Sequence, residues 1–237
     1  MQQKTQGLSG NALKLIAAAA MLADHLGWQL LADDTPAAAL VHFIGRLALP
    51  IFAFFIAEGY LHTRSLPRYA ARLAVGALAA AVPFSLFLSG TLFGAPFSVL
   101  YTLLLGLLAI AAADRLRGGV LFGVLLALLA LALPGDWGPF APLLCLAAWQ
   151  ARKQHAVPVA AYLTVGLALC VGSFADALLA GRTLGPALCL ALPELGVAVA
   201  PALLALYNGT RGKGGAAAGW AFYLFYPLHL LLIDLLL

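Results

Sequence analysis

The chain has 237 residues, of which 64% are apolar and only 9% are charged, and its mean hydropathy is +1.00. Soluble domains carry charge on about a quarter of their residues. This composition therefore excludes a soluble globular protein and predicts an all-α, polytopic membrane protein. The net charge of +4 does not indicate a nucleic-acid partner, because the basic residues are confined to short loops between apolar segments.

Apolar segments of membrane-spanning length recur along the chain, separated by short breaks that contain Pro, Gly or charged residues. They predict a bundle of about nine transmembrane helices in a single integral membrane domain, 1–237. The predicted helices cover residues 11–31, 40–61, 69–89, 97–113, 119–133, 138–150, 156–177, 185–207 and 219–236. The fifth and sixth are short and separated only by PGDWGP, so a tilted pair, a re-entrant hairpin and one broken element all fit there.

The loop charges divide between the two sides that these helices define. One side receives cations, namely Lys4, Arg64, Arg68, Arg72, Arg115, Arg117, Arg152, Lys153, Arg211 and Lys213. The other side receives Asp33, Asp34, Asp136, Asp176 and Asp234, with Arg182 as its loop cation. Because Lys and Arg collect on the cytoplasmic side of membrane proteins, the split predicts a cytoplasmic N-terminus and a C-terminus outside.

The first predicted helix, NALKLIAAAAMLADHLGWQL, carries Lys14, Asp24 and His25. Eleven helical steps separate Lys14 from His25, so both side chains lie on nearly the same face, about 16 Å apart along the axis. A charged residue inside a bilayer is unfavourable by several kcal/mol unless it is paired or functional. Histidine titrates near neutral pH, and an adjacent carboxylate can hold its tautomer. We therefore predict that His25 is a general base oriented by Asp24.

The second predicted helix runs in the opposite direction and contains Arg46 and Glu58. It places Arg46 near the outer side, at the depth of Asp24, and Glu58 near the inner side, at the depth of Lys14. Opposite charges at matching depths predict the pairs Asp24–Arg46 and Lys14–Glu58. The alternative interpretation is that such pairs only fix helix packing.

The last predicted helix holds a second titratable pair, Tyr226 and His229, which share a face because they are three residues apart. Pro227 bends the segment, and in a membrane such a bend is tolerated mainly where the helix lines protein or a cavity. His229 falls near mid-membrane, which does not suit an interfacial aromatic belt. These residues form a second candidate site.

The loop HTRSLPRYAAR carries Arg64, Arg68 and Arg72 on the predicted cytoplasmic side. A loop of this kind satisfies the positive-inside rule without any ligand. The alternative is a docking site for a polyanionic cosubstrate, since guanidinium groups bind phosphate in bidentate fashion. Arg68 and Arg72 are four residues apart, so one helix face could present both.

The three cysteines, Cys145, Cys170 and Cys189, lie within apolar runs and show no CxxC or Cys/His ligand spacing. This pattern supports neither a zinc site nor a disulfide framework. We expect no metal cofactor, and we interpret the cysteines as small packing residues.

Several segments together resemble the TraX family of membrane acetyltransferases, which is known for acetylating the N-terminus of F pilin. The segments are KLIAAAAMLADHLGW, IGRLALPIFAFFIAEGYLHTRS, SVLYTLLLGLLAI, LYNGTRGKGG and FYLFYPLHLLLI. The chain is also similar, more distantly, to type 3 membrane acyltransferases, in which ten residues separate a basic residue from a histidine in the first helix. That pattern falls on Lys14 and His25.

The resemblance implies an acetyltransferase of the bacterial cytoplasmic membrane that uses acetyl-CoA as acyl donor and an unidentified amine or hydroxyl acceptor. It implies His25 at the reaction centre with Asp24 beside it, and Arg46 or His229 stabilising the oxyanion. The expected donor-binding residues are Lys14, Glu58, Arg64, Arg68, Arg72 and Tyr226. Direct transfer and a covalent acetyl-histidine intermediate are both compatible with this arrangement.

The main rival is a proton-coupled transporter, because intramembrane Asp, Glu, His and Lys residues also mark proton relays. Against it, the sequence shows no inverted repeat, and we expect no pair of matching interrupted helices. A noncatalytic membrane partner protein is a third interpretation, for which so many intramembrane polar groups would be excessive.

Overall fold

The structure is a computed structural model that describes residues 7–94 and 96–237. The described chain is all-α, about 78% helical, and forms no β-strand within these ranges. Lys4, one of the predicted topogenic cations, lies outside the described residues. The predicted all-α class is confirmed.

The helices follow one another with short connections. Their bounds are α1 Gly10–Leu30, α2 Pro36–Gly45, α3 Ala48–His62, α4 Leu66–Ser89, α5 Val99–Arg115, α6 Gly118–Ala132, α7 Phe140–Lys153, α8 Val159–Leu179, α9 Leu184–Ala191, a 3₁₀ turn at Leu192–Leu195, α10 Gly196–Leu204 and α11 Gly215–Leu236. Each of the nine predicted segments falls on helix, with boundaries that differ by a few residues.

Five helical stretches are long and apolar enough to cross a membrane by length and composition. They are Pro36–His62, Leu66–Ser89, Val159–Leu179, Leu184–Leu204 and Gly219–Leu236. These stretches are typical of a multi-pass membrane protein, as predicted. The count of nine crossings and the orientation of the two termini are not established by them and stay predictions.

Two of these stretches are interrupted near a charged residue. The first breaks after α2 at Arg46 and Leu47, because Pro50 has no N–H to donate to the carbonyl of Arg46. The second tightens into the 3₁₀ turn at Leu192–Leu195, where Pro193 precedes Glu194. Proline therefore interrupts both stretches, and the expectation of no matching pair of interrupted helices in the two halves stays a prediction.

The chain divides into two compact units. Unit 1 contains the described residues up to Phe52 together with Val157–Phe222. In it α1 packs on α2, α2 packs on the 3₁₀ turn, and α8 packs on α9, the 3₁₀ turn and α10. The buried hydroxyl of Tyr162 on α8 donates to the carbonyl of Pro50 at 3.0 Å. This bond ties α8 to the backbone carbonyl of Pro50 at the start of α3.

Unit 2 contains Ala53–Ala156 and Tyr223–Leu237. Its centre is α5, against which α4, α6 and α7 pack. Gly106 on α5 lets α7 approach closely, because a Cβ at this position would collide with the buried side chain of Cys145. The prediction of a single domain over 1–237 is not tested by this division and stays a prediction.

Candidate active site

A histidine and a carboxylate form a buried hydrogen-bonded pair in unit 1. Nδ1 of His42 on α2 lies 2.7 Å from Oδ1 of Asp24 on α1, and both residues are buried. An ionised carboxylate only accepts hydrogen bonds, so in the neutral imidazole the ring proton lies on Nδ1 and Nε2 carries a lone pair. Nε2 is buried, and it has no hydrogen-bond partner among the described residues. The pair therefore presents an acceptor nitrogen that the fold leaves unsatisfied.

Two glycines bring α1 and α2 close enough to form this pair. A Cβ on Gly45 of α2 would overlap the side chain of Asp24. A Cβ on Gly27 of α1 would lie 2.8 Å from Cγ1 of Val41 and 3.2 Å from Cε1 of His42. Any larger side chain at either position would push the helices apart. The local sequence thus sets the short distance between Asp24 and His42.

A second carboxylate joins the pair through an arginine. Arg46 contacts Glu194 with Nε at 3.1 Å and 3.0 Å from the two carboxylate oxygens and with Nη2 at 3.0 Å from Oε1. Its Nη1 lies 3.6 Å from Oδ2 of Asp24. The predicted Asp24–Arg46 pair is thus present in the structure. The four side chains form what we call the buried network: Asp24, His42, Arg46 and Glu194.

The buried network lies at the two helix interruptions of unit 1. Arg46 ends α2, and Glu194 belongs to the 3₁₀ turn. Gly196 allows the contact, because a Cβ there would overlap the carbonyl oxygen of Phe43 and lie 2.8 Å from Cβ of Arg46. Two segments far apart in sequence therefore meet through one bidentate ion pair.

The indole of Trp28 covers the imidazole of His42. The ring centroids are 4.6 Å apart and the planes are inclined by 41°. Trp28 is 43% exposed, whereas His42 is 4% exposed. The partly exposed indole therefore covers one side of the buried imidazole.

His25 is half-buried on α1, and the orientation of its ring by Asp24 stays a prediction. Consecutive helical residues point about 100° apart and do not face each other. The carboxylate of Asp24 instead contacts His42 and Arg46 on α2. The catalytic role of His25 is a separate matter and stays a prediction.

Lys14 lies on α1 with its Nζ 6.0 Å from the ring centroid of Phe222 on α11, near the limit for a cation–π contact. Its predicted role in donor binding stays a prediction. So does its predicted pairing with Glu58, which belongs to unit 2.

The predicted residue Glu58 forms an ion pair at the end of α3 in unit 2. Nε of Arg152 donates to Oε2 of Glu58 at 2.7 Å, and both side chains are largely buried. The guanidinium of Arg152 also lies over the ring of Phe54, 5.4 Å from its centroid. Nδ1 of the exposed His62 lies 3.9 Å from the same carboxylate.

The second candidate pair, Tyr226 and His229, is buried in unit 2. Nδ1 of His229 donates to the carbonyl of Phe225 at 2.8 Å, and the two rings stack with centroids 4.6 Å apart. The ring of Tyr226 contacts His229 edge-on at 5.7 Å. Its hydroxyl is buried without a hydrogen-bond partner in the described ranges. The roles predicted for this pair stay predictions.

Arg64, Arg68 and Arg72 are all exposed. The guanidinium of Arg72 lies 5.5 Å from the ring centroid of Tyr69, while Arg68 continues the same face of α4. Their role in donor binding stays a prediction. Among the described residues no three His, Cys, Asp or Glu side chains are grouped so as to hold a metal ion.

Sequence reasoning missed His42, Glu194 and Arg152. Each is the partner of a residue that the sequence did single out. The rule that found Asp24 and Arg46, that a polar group within an apolar run needs a partner or a function, applies equally to His42 and Glu194. What the sequence could not supply was the contact between Arg46 and a residue 148 positions away.

The fold and the site define a multi-pass helical membrane protein with a buried network of two carboxylates, an arginine and a histidine. The family described as TraX protein matches residues 9–237, and the chain belongs to this family. It is 32% identical over 235 residues to the probable fimbrial assembly protein FimC, serogroup H1, of Dichelobacter nodosus, covering 93% of this chain and 92% of that protein. No solved structure matches the chain. The resemblance noted from the sequence is confirmed.

Proposed function

We propose that this TraX-family protein is a membrane-embedded acetyltransferase that moves an acetyl group from acetyl-CoA to an amine or hydroxyl acceptor. The observation that carries the proposal is the Asp24–His42 pair. A carboxylate holds Nδ1 of a buried imidazole and leaves Nε2 as an unpartnered acceptor. In acyl transfer this is the arrangement of a general base and the group that orients it.

In the proposed reaction, Nε2 of His42 takes the proton of the acceptor while the acceptor attacks the thioester carbonyl carbon. The tetrahedral intermediate collapses by breaking the carbon–sulfur bond, and the proton on Nε2 passes to the departing thiolate. Asp24 keeps the ring oriented throughout. With a proton on His42, the buried network would hold two cations and two carboxylates, which stabilises the imidazolium electrostatically.

His25 is the alternative general base, supported by the spacing of ten residues between it and the basic Lys14 and by the resemblance to acyltransferases. His25→Gln and His42→Gln separate the two assignments when acetyl transfer by the purified protein is measured. We expect His42→Gln to lower turnover by about 10² to 10⁴-fold, the usual contribution of a positioned base. Wild-type turnover in His42→Gln together with a loss in His25→Gln would move the assignment to His25.

The acceptor is proposed from the name of the relative. A probable fimbrial assembly protein with comparable length and 32% identity supports a fimbrial subunit as the first acceptor to test. Incubation of that subunit with acetyl-CoA and the purified protein should add one acetyl group, read by intact mass. A panel of free amines and sugars is assayed in parallel, and acetylation of one of them would identify a small-molecule acceptor instead.

We further propose the predicted topology: nine crossings of the bacterial cytoplasmic membrane, with the N-terminus inside and the C-terminus outside. The distribution of loop cations supports it. Single cysteines introduced at Arg115 and Asp34 in a variant lacking the native cysteines should label from opposite sides in intact cells. Labelling of both positions from outside would contradict the topology.

A proton-coupled transporter is the second candidate, and the two interrupted helices favour it. Ion and substrate sites of many transporters lie where membrane helices are broken, and Arg46 and Glu194 meet at two such breaks. CoA release that depends on an acceptor would support the transferase. Proton-driven solute flux into sealed liposomes without CoA release would support transport.

A further inference from the structure

The glycine-rich segment before α11 is fixed to the start of α1 by backbone hydrogen bonds. We call residues 207–215, with the sequence YNGTRGKGG, the clasp loop. The amides of Gly10 and Asn11 donate to the carbonyls of Thr210 and Arg211 at 2.8 Å and 2.9 Å. The side-chain amide of Asn11 donates to the carbonyl of Lys213 at 2.7 Å. An exposed loop is thus held in one position within unit 1.

These bonds determine which way the loop amides point. In a trans peptide unit the carbonyl and the following N–H point in opposite directions. Since the carbonyls of Thr210, Arg211 and Lys213 face α1, the N–H groups of Arg211, Gly212 and Gly214 face away from it, on the exposed side of the loop. Gly212 and Gly214 have φ of 87° and 105°, a backbone conformation that other residues rarely adopt. The amides of Arg211 and Gly212 are successive, and successive amides that point the same way can form an anion-binding concavity.

The cationic groups of Arg211 and Lys14 both lie beside one face of α11, close to the clasp loop. Nη2 of Arg211 lies 3.3 Å from the position of a Cβ on Gly219, and Nζ of Lys14 lies over the ring of Phe222. Gly219 and Phe222 are three residues apart and share a face of α11. The cations therefore lie about one helical turn apart along unit 1.

Lys213 adds a third positive charge on the clasp loop itself. Residues 7–23 and 195–222, which form the clasp loop and the segments around it, contain no Asp or Glu. These segments therefore contribute three cations and no carboxylate. Such a site favours a ligand with several negative charges.

We propose that the clasp loop, with Arg211, Lys213 and Lys14, binds the phosphate groups at the nucleotide end of the acyl donor. The inference rests on the proposed function and names the donor site within it. Lys14 precedes Asp24 by ten residues, which is about 15 Å along α1, a distance comparable to an extended pantetheine arm. Phosphates held at the loop would thus leave the thioester at the depth of the buried network.

The test measures binding of adenosine 3′,5′-bisphosphate, the nucleotide fragment of CoA that carries no thioester, to the detergent-purified full-length protein. We expect binding to the wild type and a loss of tenfold or more in affinity in Arg211→Gln and in Lys213→Gln. Arg115→Gln removes one exposed cation from unit 2 and serves as the matched control, with unchanged affinity. In turnover assays Arg211→Gln should raise KM for acetyl-CoA but not for acetyl-pantetheine, which lacks the nucleotide.

Equal bisphosphate affinity in wild type, Arg211→Gln and Lys213→Gln would overturn the assignment, and a loss confined to Arg68→Gln would move the donor site to α4. A lipid headgroup is the other source of phosphate. Stabilisation by phosphatidylglycerol nanodiscs that depends on Arg211, without bisphosphate binding, would assign the loop to lipid and overturn the donor site. Arg211-dependent bisphosphate binding without any acetyl transfer would uphold this site while refuting the proposed acetyltransferase.

Discussion

The charged groups of unit 1 and unit 2 are equally buried but differently satisfied. In unit 1, Asp24, His42, Arg46 and Glu194 form a network that ends in an unpartnered imidazole nitrogen. In unit 2, Glu58 and Arg152 form an ion pair beside the exposed His62. A buried ion pair is weak support for a special role, whereas a buried polar atom without a partner needs an explanation. The hydroxyl of Tyr226 in unit 2 is also buried without a partner among the described residues, but no carboxylate is hydrogen-bonded to it there in the way that Asp24 is to His42. We therefore propose unit 1 as the place of the chemistry.

The largest expected difference between the two units is in the turnover of variants at their histidines. His42→Gln keeps the approximate size of the side chain but removes the titrating nitrogen, so we expect acetyl transfer to fall by about 10² to 10⁴-fold. The matched control is His62→Gln in unit 2, where the side chain is 71% exposed and should be replaceable without loss of transfer. Comparable turnover in both variants would contradict the assignment to unit 1.

The next effect is on stability. Arg46→Met leaves Glu194 buried without its cation, and removing one partner of a buried pair costs about 3 to 5 kcal/mol of unfolding free energy. Denaturant unfolding in detergent measures it. Changing both residues together, with Arg46→Met and Glu194→Gln, should recover part of the loss, because no uncompensated carboxylate then remains. A double variant less stable than the single one would argue against the pair.

Removal of the arginine from the ion pair of unit 2 should lower the unfolding free energy by less. Arg152→Gln leaves a polar amide beside Glu58, and Nδ1 of His62 still lies 3.9 Å from the carboxylate, so we expect a loss of about 1.5 to 3 kcal/mol. The same unfolding measurement compares it directly with Arg46→Met. If Arg152→Gln proved the more damaging of the two, the ranking of the units would be reversed.

A smaller effect tests the helix approach that forms the site. Gly45→Ala adds a methyl group where Asp24 lies, and overpacking of this kind costs about 1 to 3 kcal/mol. Gly172→Ala on α8 is the matched control, because its added Cβ meets no atom within 4 Å. The control should be neutral or stabilise by up to about 1 kcal/mol. Turnover should fall in the first variant only.

Much of the fold could be predicted from the sequence because apolar runs and their breaks are local signals. Pro, Gly and charge marked helix boundaries to within a few residues, and only the proline interruptions within the second and eighth predicted segments were missed. Pro50 and Pro193 lie inside long apolar runs, and a hydropathy profile does not detect the helix interruptions that they cause. The interruptions become visible only when the missing N–H of each proline is counted.

The candidate site was predicted in part, for a related reason. Asp24 and Arg46 could be found because buried charges require partners, and their pairing followed from matching depth along neighbouring helices. His42 could not be assigned from the sequence because His25 directly follows Asp24, whereas the partner that Asp24 contacts lies on the next helix. Glu194 was missed because its partner is 148 residues away, and such distant contacts follow from packing that no local pattern encodes.

The indole of Trp28 lies over His42, and this position would limit hydrolysis of the donor in the proposed reaction. Acyl thioesters are hydrolysed by water, and a solvent-exposed general base would activate water for this attack. The donor would then be hydrolysed when no acceptor is bound. If the proposed reaction occurs at His42, the imidazole would act only after the indole of Trp28 has moved aside. Arrival of the acceptor would then itself uncover the base, so that donor consumption is tied to productive encounters.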